Sequence, residues 1–139
     1  MRWKFQQTFE APREDVRLFV KTVYKALPEM ERADLTIHNV VFEPKHLTAL
    51  LTSHSLPRHY ERDTTITASE GSEAEALLQA ALTDWVDFLF VLHPKPFVIY
   101  ADHHKYTTFH AQTRSNLNRV TRLLSRHGFR EIAGFVRRF

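Results

Sequence analysis

The stretch YADHHKYTTFH (residues 100–110) packs His103, His104 and His110, three of the chain's nine histidines, beside Asp102. Imidazole and carboxylate at short spacing are the raw material of a metal site or of an acid–base pair. On one strand, Asp102 and His104 point to the same side, about 6.6 Å apart along the chain. His110 belongs elsewhere. If the chain reverses around His104 and Lys105, His110 stands opposite Val98, roughly 20 Å from the turn. An ion held by Asp102 and His104 would therefore draw further ligands from His38, His46 or His59. The same residues also suit an ordinary polar hairpin tip. Aspartate favours the first position of a type I turn, and Thr107 and Thr108 favour strand.

A second fragment is HLTAL (46–50). Its His-x-Thr resembles one half of the signature of the two-histidine phosphoesterases, where two such motifs face each other and supply an acid and a base to a phosphodiester. The resemblance covers five residues, and no second His-x-Ser/Thr occurs in the chain. It implies His46 as a single acid–base group.

Much other chemistry is excluded by residue type. With no cysteine there is no disulfide, thiolate nucleophile, cysteine zinc site or iron–sulfur cluster. The three glycines, Gly71, Gly128 and Gly134, are too scattered to form a phosphate-cradling loop. No Gly-x-Ser-x-Gly elbow occurs. No cofactor is expected.

The stronger signal is uneven charge. Residues 1–102 hold 11 basic and 15 acidic side chains, whereas residues 103–139 hold eight basic ones against Glu131 alone. At 3.6 residues per turn, Leu117, Val120 and Leu124 mark the buried side of a helix over about 115–126. Arg119, Arg122 and Arg126 form a stripe almost opposite, flanked by Ser115 and Asn118. Alternating glutamates, which lace an ordinary solvated face with i,i+4 pairs, are missing. Guanidinium forks match phosphate and carboxylate geometry. With Arg114, Arg130, Arg137 and Arg138, the stripe predicts a surface for an anionic partner, either nucleic acid or an acidic protein. Tyr106 and Phe139 could stack on bases, and the acidic run SEGSEAE (69–75) could neutralise the surface instead.

Periodicity supplies the elements that position these residues. Trp3, Phe5 and Phe9 alternate with polar residues in an opening strand, and Val16, Phe19, Val20, Val23, Tyr24 and Leu27 trace an amphipathic helix. Strands are predicted at 35–42 and 62–69, while 44–60 is left open between helix and strand. Ser72 is the expected cap of a helix whose core face runs from Ala74 to Trp85. Strands at 86–93, 97–101 and 106–111 follow, then the basic helix closed by Gly128, and a last strand over 131–138.

The order β-α-β-β-α-β-β-β-α-β predicts a single α+β domain over residues 1–139. Its sheet would be mixed but mostly antiparallel, with about three helices mainly on one face. With 43% hydrophobic residues, eleven of the 139 residues being Phe, a packed core is expected. The opening MRWKFQQTFE carries no apolar leader, and the most apolar run is cut by Asp87, His93, Pro94, Lys95 and Pro96. A cytoplasmic protein that does not span a membrane is expected. The expected function is a non-catalytic binding module presenting the basic C-terminal helix and strand. The alternatives are a hydrolase using Asp102 and His104 or His46, and a homo-oligomer that buries Trp3, Phe5 and Phe9 between subunits.

Overall fold

Alternating apolar residues build the sheet, and apolar residues three or four apart build the helices that cover it. The computed structural model describes residues 5–12, 14–54 and 64–137. Their elements run β1 (Phe5–Glu10), α1 (Val16–Ala26), β2 (Arg32–Asn39), α2 (Lys45–His54), β3 (Thr64–Ala68), α3 (Gly71–Thr83), β4 (Asp87–His93), β5 (Phe97–Ala101), β6 (Tyr106–Ala111) and α4 (Arg114–Arg126). One six-stranded sheet has the order β1-β6-β5-β4-β2-β3. All its pairings are antiparallel, so the α+β class holds and the mixed sheet does not. No helix among the described residues is long and apolar enough to cross a membrane.

One sheet face lies under the helices. Phe9, Phe109, Ile99, Phe90, Leu35 and Ile66 point that way and are fully buried. They join one cluster with Phe19 and Val23 of α1, Leu51 of α2, Leu77 of α3 and Val120 of α4. Phe109 stacks on Phe19 and meets Phe9 edge-on, with centroids 5.9 and 6.0 Å apart. Phe9 is thus buried within its own chain, while Trp3 lies outside the described residues. The helices stand in a row, α4 against α1, α1 against α3, and α3 against α2.

One open reading is resolved and two expectations are corrected. The open stretch after Pro44 forms a fourth helix, α2, started by the Thr48 N–H donating to the Pro44 carbonyl. Its Leu47 and Leu51 are one turn apart and both buried. Ser72 is not the cap of α3. That helix starts at Gly71, with Glu70 at the cap position.

The last strand is reduced to one bridge, Phe9 with Glu131, on the outer edge of β1. Glu10 and Ile132 donate N–H bonds there to Arg130 and Thr8 carbonyls, both 2.8 Å. Gly134 then turns at φ +79°. Beyond it, Arg137 lies on the sheet face opposite the helices, against Gln6, Thr108 and Asp102. The bridge blunts an otherwise open sheet edge.

Candidate functional site

Helix α4 is well specified. Thr113 Oγ1 caps its first turn by accepting the Asn116 N–H at 3.2 Å. At its end the Gly128 N–H donates to Ser125 O and the Phe129 N–H to Leu124 O, with Gly128 at φ +88°. This is the left-handed closure that glycine makes cheap. Phe129 then packs edge-on against Phe19, 5.1 Å between centroids. Leu117, Val120 and Leu124 are buried as the periodicity required, which turns the arginines outward.

The arginines are not equivalent. Arg114 lies over the Phe5 ring, 4.8 Å from its centroid. Arg119 is paired with Glu29, just beyond α1, and also donates to Asn116 Oδ1 at 3.2 Å. The Arg119 hydrogen bond to Glu29, aided by the charges of Arg119 and Lys95, holds the Glu29 carboxyl below its ordinary range against the opposing effect of burial. Arg122 and Arg126 are exposed and have no ion pair among the described residues. Arg130, also exposed, stands 3.7 Å from Glu10. The acidic run SEGSEAE places Glu75 against Lys21 of α1, at 2.8 Å. Along the first turns of α4 runs a groove of about 370 Å³, lined by Arg114, Ser115, Asn118, Arg119 and Arg122. Its described lining contains no carboxylate.

Arg137, expected on the same surface, is on the far side of the sheet. Its guanidinium donates to Asp102 Oδ2 at 2.9 Å and to Thr108 Oγ1 at 3.2 Å. It lies 4.3 Å from the Tyr100 ring centroid and 5.4 Å from that of Phe135. Gln6 brackets its backbone, accepting its N–H at 2.7 Å and donating to its carbonyl at 3.0 Å. Tyr106 is likewise taken up by Phe135, 4.5 Å between centroids, so it is not a free stacking platform. Arg138, Phe139 and His59 lie outside the described residues.

The same contact occupies the Asp102 carboxylate, which the sequence had set beside His104. Asp102 Oδ1 accepts the His104 N–H at 2.9 Å, a turn-closing bond, while Oδ2 holds Arg137. Burial would raise its carboxyl, but these donors and the Arg137 charge outweigh it and hold the group below the usual carboxylate range. His110 pairs with Val98 in register, as the hairpin required. Burial, and then the Arg137 charge, push its imidazole down to about 4. No group of three or more metal-ligating side chains occurs among the described residues.

Three other described histidines do pair with carboxylates, the first being His93, whose Nε2 lies 3.1 Å from Asp34 Oδ2. His46 Nδ1 is 2.7 Å from Asp84 Oδ1. Asp84 is buried and also accepts the N–H groups of His46 and Leu47, at 3.2 and 2.8 Å. It therefore caps the first turn of α2 from another element. His103 Nδ1 lies 2.8 and 3.0 Å from the two oxygens of Asp87, and the His103 N–H donates to the same carboxylate at 2.6 Å. An ionised carboxylate only accepts, so Nδ1 is the donor in this contact, and in the neutral ring Nε2 is the nitrogen that keeps a lone pair. Beside this pair opens a cleft of about 490 Å³ lined by Phe42, Trp85, His103 and His104.

Trp85, expected on the core face of α3, sits past its end at φ +57°. Its N–H donates to Leu82 O and the Val86 N–H to Ala81 O, the closure that Gly128 provides for α4. A tryptophan there costs about 1 kcal/mol that glycine would not.

Asp84, Asp87 and Trp85 were missed because 83–88 reads as a helix end followed by a strand start. A signal existed: a carboxylate inside an apolar run such as Asp87 in WVDFLFVL demands a partner. Comparison of the chain with protein-family models, with curated proteins and with solved structures finds no match.

Proposed function

We propose that the protein is a non-catalytic, cytoplasmic binding module that holds the phosphate backbone of a nucleic acid on the outer face of α4. One observation carries this: the groove lined by Arg114, Ser115, Asn118, Arg119 and Arg122, on a helix that holds no carboxylate of its own. From Arg114 to Arg126 the helix spans about 18 Å at its rise of 1.5 Å per residue. Fork-shaped guanidiniums along such a line, with hydroxyl and amide donors between them, suit repeated single charges. A protein partner would favour an aromatic or aliphatic centre with arginines at its margin. The described groove lining supplies no such centre.

Fluorescence anisotropy against labelled single- and double-stranded DNA and RNA, at two salt concentrations, tests this. Three phosphate contacts give a slope of log affinity against log salt of about −3. The triple variant Arg114→Ala, Arg122→Ala, Arg126→Ala loses binding with its melting temperature nearly unchanged, because none of the three holds an ion pair among the described residues. No binding at low salt, or equal binding by the triple variant, removes the proposal. Binding of poly-glutamate in place of nucleic acid would move the surface to acidic proteins.

A further inference from the structure

We propose that the cleft lined by Phe42, Trp85, His103 and His104 binds a planar heterocycle of the nucleobase kind, which donates an N–H to Nε2 of His103. This site is independent of the α4 groove. Three observations converge on it. The first is the Asp87–His103 pair, which orients the imidazole with Nδ1 as donor, so that the neutral ring presents Nε2 as an acceptor. The His103 N–H already ties the turn to Asp87, so the ring contact adds orientation to a loop that is anchored without it.

The second is Trp85. The equivalent closure of α4 uses Gly128, whereas α3 places a large indole in the left-handed position and sets it on the cleft wall. Backbone strain kept at such a wall points to use of the side chain, since folding alone would favour glycine. The third is Phe42, which stays 56% exposed on the same cleft. Two aromatic faces and one bare imidazole nitrogen match a flat ring bearing an N–H, which stacks and donates at once. The volume, about 490 Å³, lies within the range of small-molecule sites.

Neutral nucleosides test this, because without a phosphate they offer α4 nothing. In a Trp3→Phe background Trp85 is the sole tryptophan, and its fluorescence reports occupancy. Uridine and guanosine are expected to quench it at up to millimolar concentration. N3-methyluridine and 1-methylguanosine, which lack the ring donor, bind about tenfold more weakly, the worth of roughly one hydrogen bond. His103→Ala weakens uridine by a similar factor, and the triple α4 variant leaves it unchanged.

Imidazole ¹⁵N NMR of the wild-type chain supplies a readout that needs no variant. In its neutral form His103 shows a protonated Nδ1 and a bare Nε2, and the Nε2 signal moves on adding uridine. Trp85→Gly keeps the helix closure and abolishes that movement. The proposal is overturned if neither nucleoside quenches Trp85 or moves Nε2. It is equally overturned if the methylated nucleosides, or His103→Ala, bind as the parents do.

Discussion

Arg122 and Arg137 come from the same carboxylate-poor segment, and the fold uses them in opposite ways. Arg122 projects from α4 into water and has no ion pair among the described residues. Arg137 is turned under the sheet, 13% exposed, clamped by Asp102, Thr108 and Tyr100. Charge counted along the chain sums the two, but only a solvated guanidinium is available to a partner. A buried one ties the C-terminal segment to the sheet, where breaking the pair is expensive because its partner is left in low dielectric.

The largest effect should come from Arg137→Ala, which strands Asp102 at 16% exposure. A loss of about 3 kcal/mol is expected, seen as a lower urea midpoint at unchanged slope. Anisotropy on nucleic acid should not change. A parallel fall in binding would mean that both arginines serve one surface, and the contrast would collapse.

Acid sharpens the same contrast. His110, beside Arg137, is pushed down to about 4, while an unfolded histidine titrates near about 6.5. Between these values the unfolded chain binds the extra proton, so stability is complete above about pH 6.5 and falls as pH drops toward 4, by about 2–3 kcal/mol. Asp102, held below its ordinary range, keeps its contribution down to about pH 4 and loses it only under stronger acid. Urea midpoints measured across this range, for wild type and His110→Gln, should show the first decline in the wild type alone.

Arg122→Ala should do the reverse of Arg137→Ala. Stability stays within about 0.5 kcal/mol, while affinity for nucleic acid falls several-fold and the salt slope shrinks by about 1. The smallest effect is expected from Glu29→Gln, which frees Arg119 from its carboxylate. Binding strengthens by about threefold and stability changes by less than about 1 kcal/mol, as for other solvent-exposed pairs. Unchanged affinity would mean that Arg119 stays outside the contact.

How much was legible depended on the range of each interaction. β5 and β6 were read with their observed ends, because an apolar run, a polar turn and a β-branched return are local features. The buried stripe of α4 and its Gly128 closure were equally local. The stretch after Pro44 stayed ambiguous because a capping carboxylate comes from Asp84, 37 residues on from Leu47. The C-terminal strand failed because pairing with β1 lasts for one bridge before Gly134 turns the chain away. His103 went unassigned for a similar reason: its partner is Asp87 on β4, while the nearer Asp102 faces Arg137.

By itself, the sequence determined the α+β class, most element positions, the Val98–His110 register and the outward face of the α4 arginines. Each follows from side-chain period and chain reversal, which act over a few residues. Tertiary structure alone decided which carboxylate meets which cation or imidazole. Those pairings depend on strand order and on the path of the chain across the sheet, and neither leaves a periodic trace. An arginine from this segment is therefore a solvated cation or an internal tie according to which side of the sheet the chain carries it to.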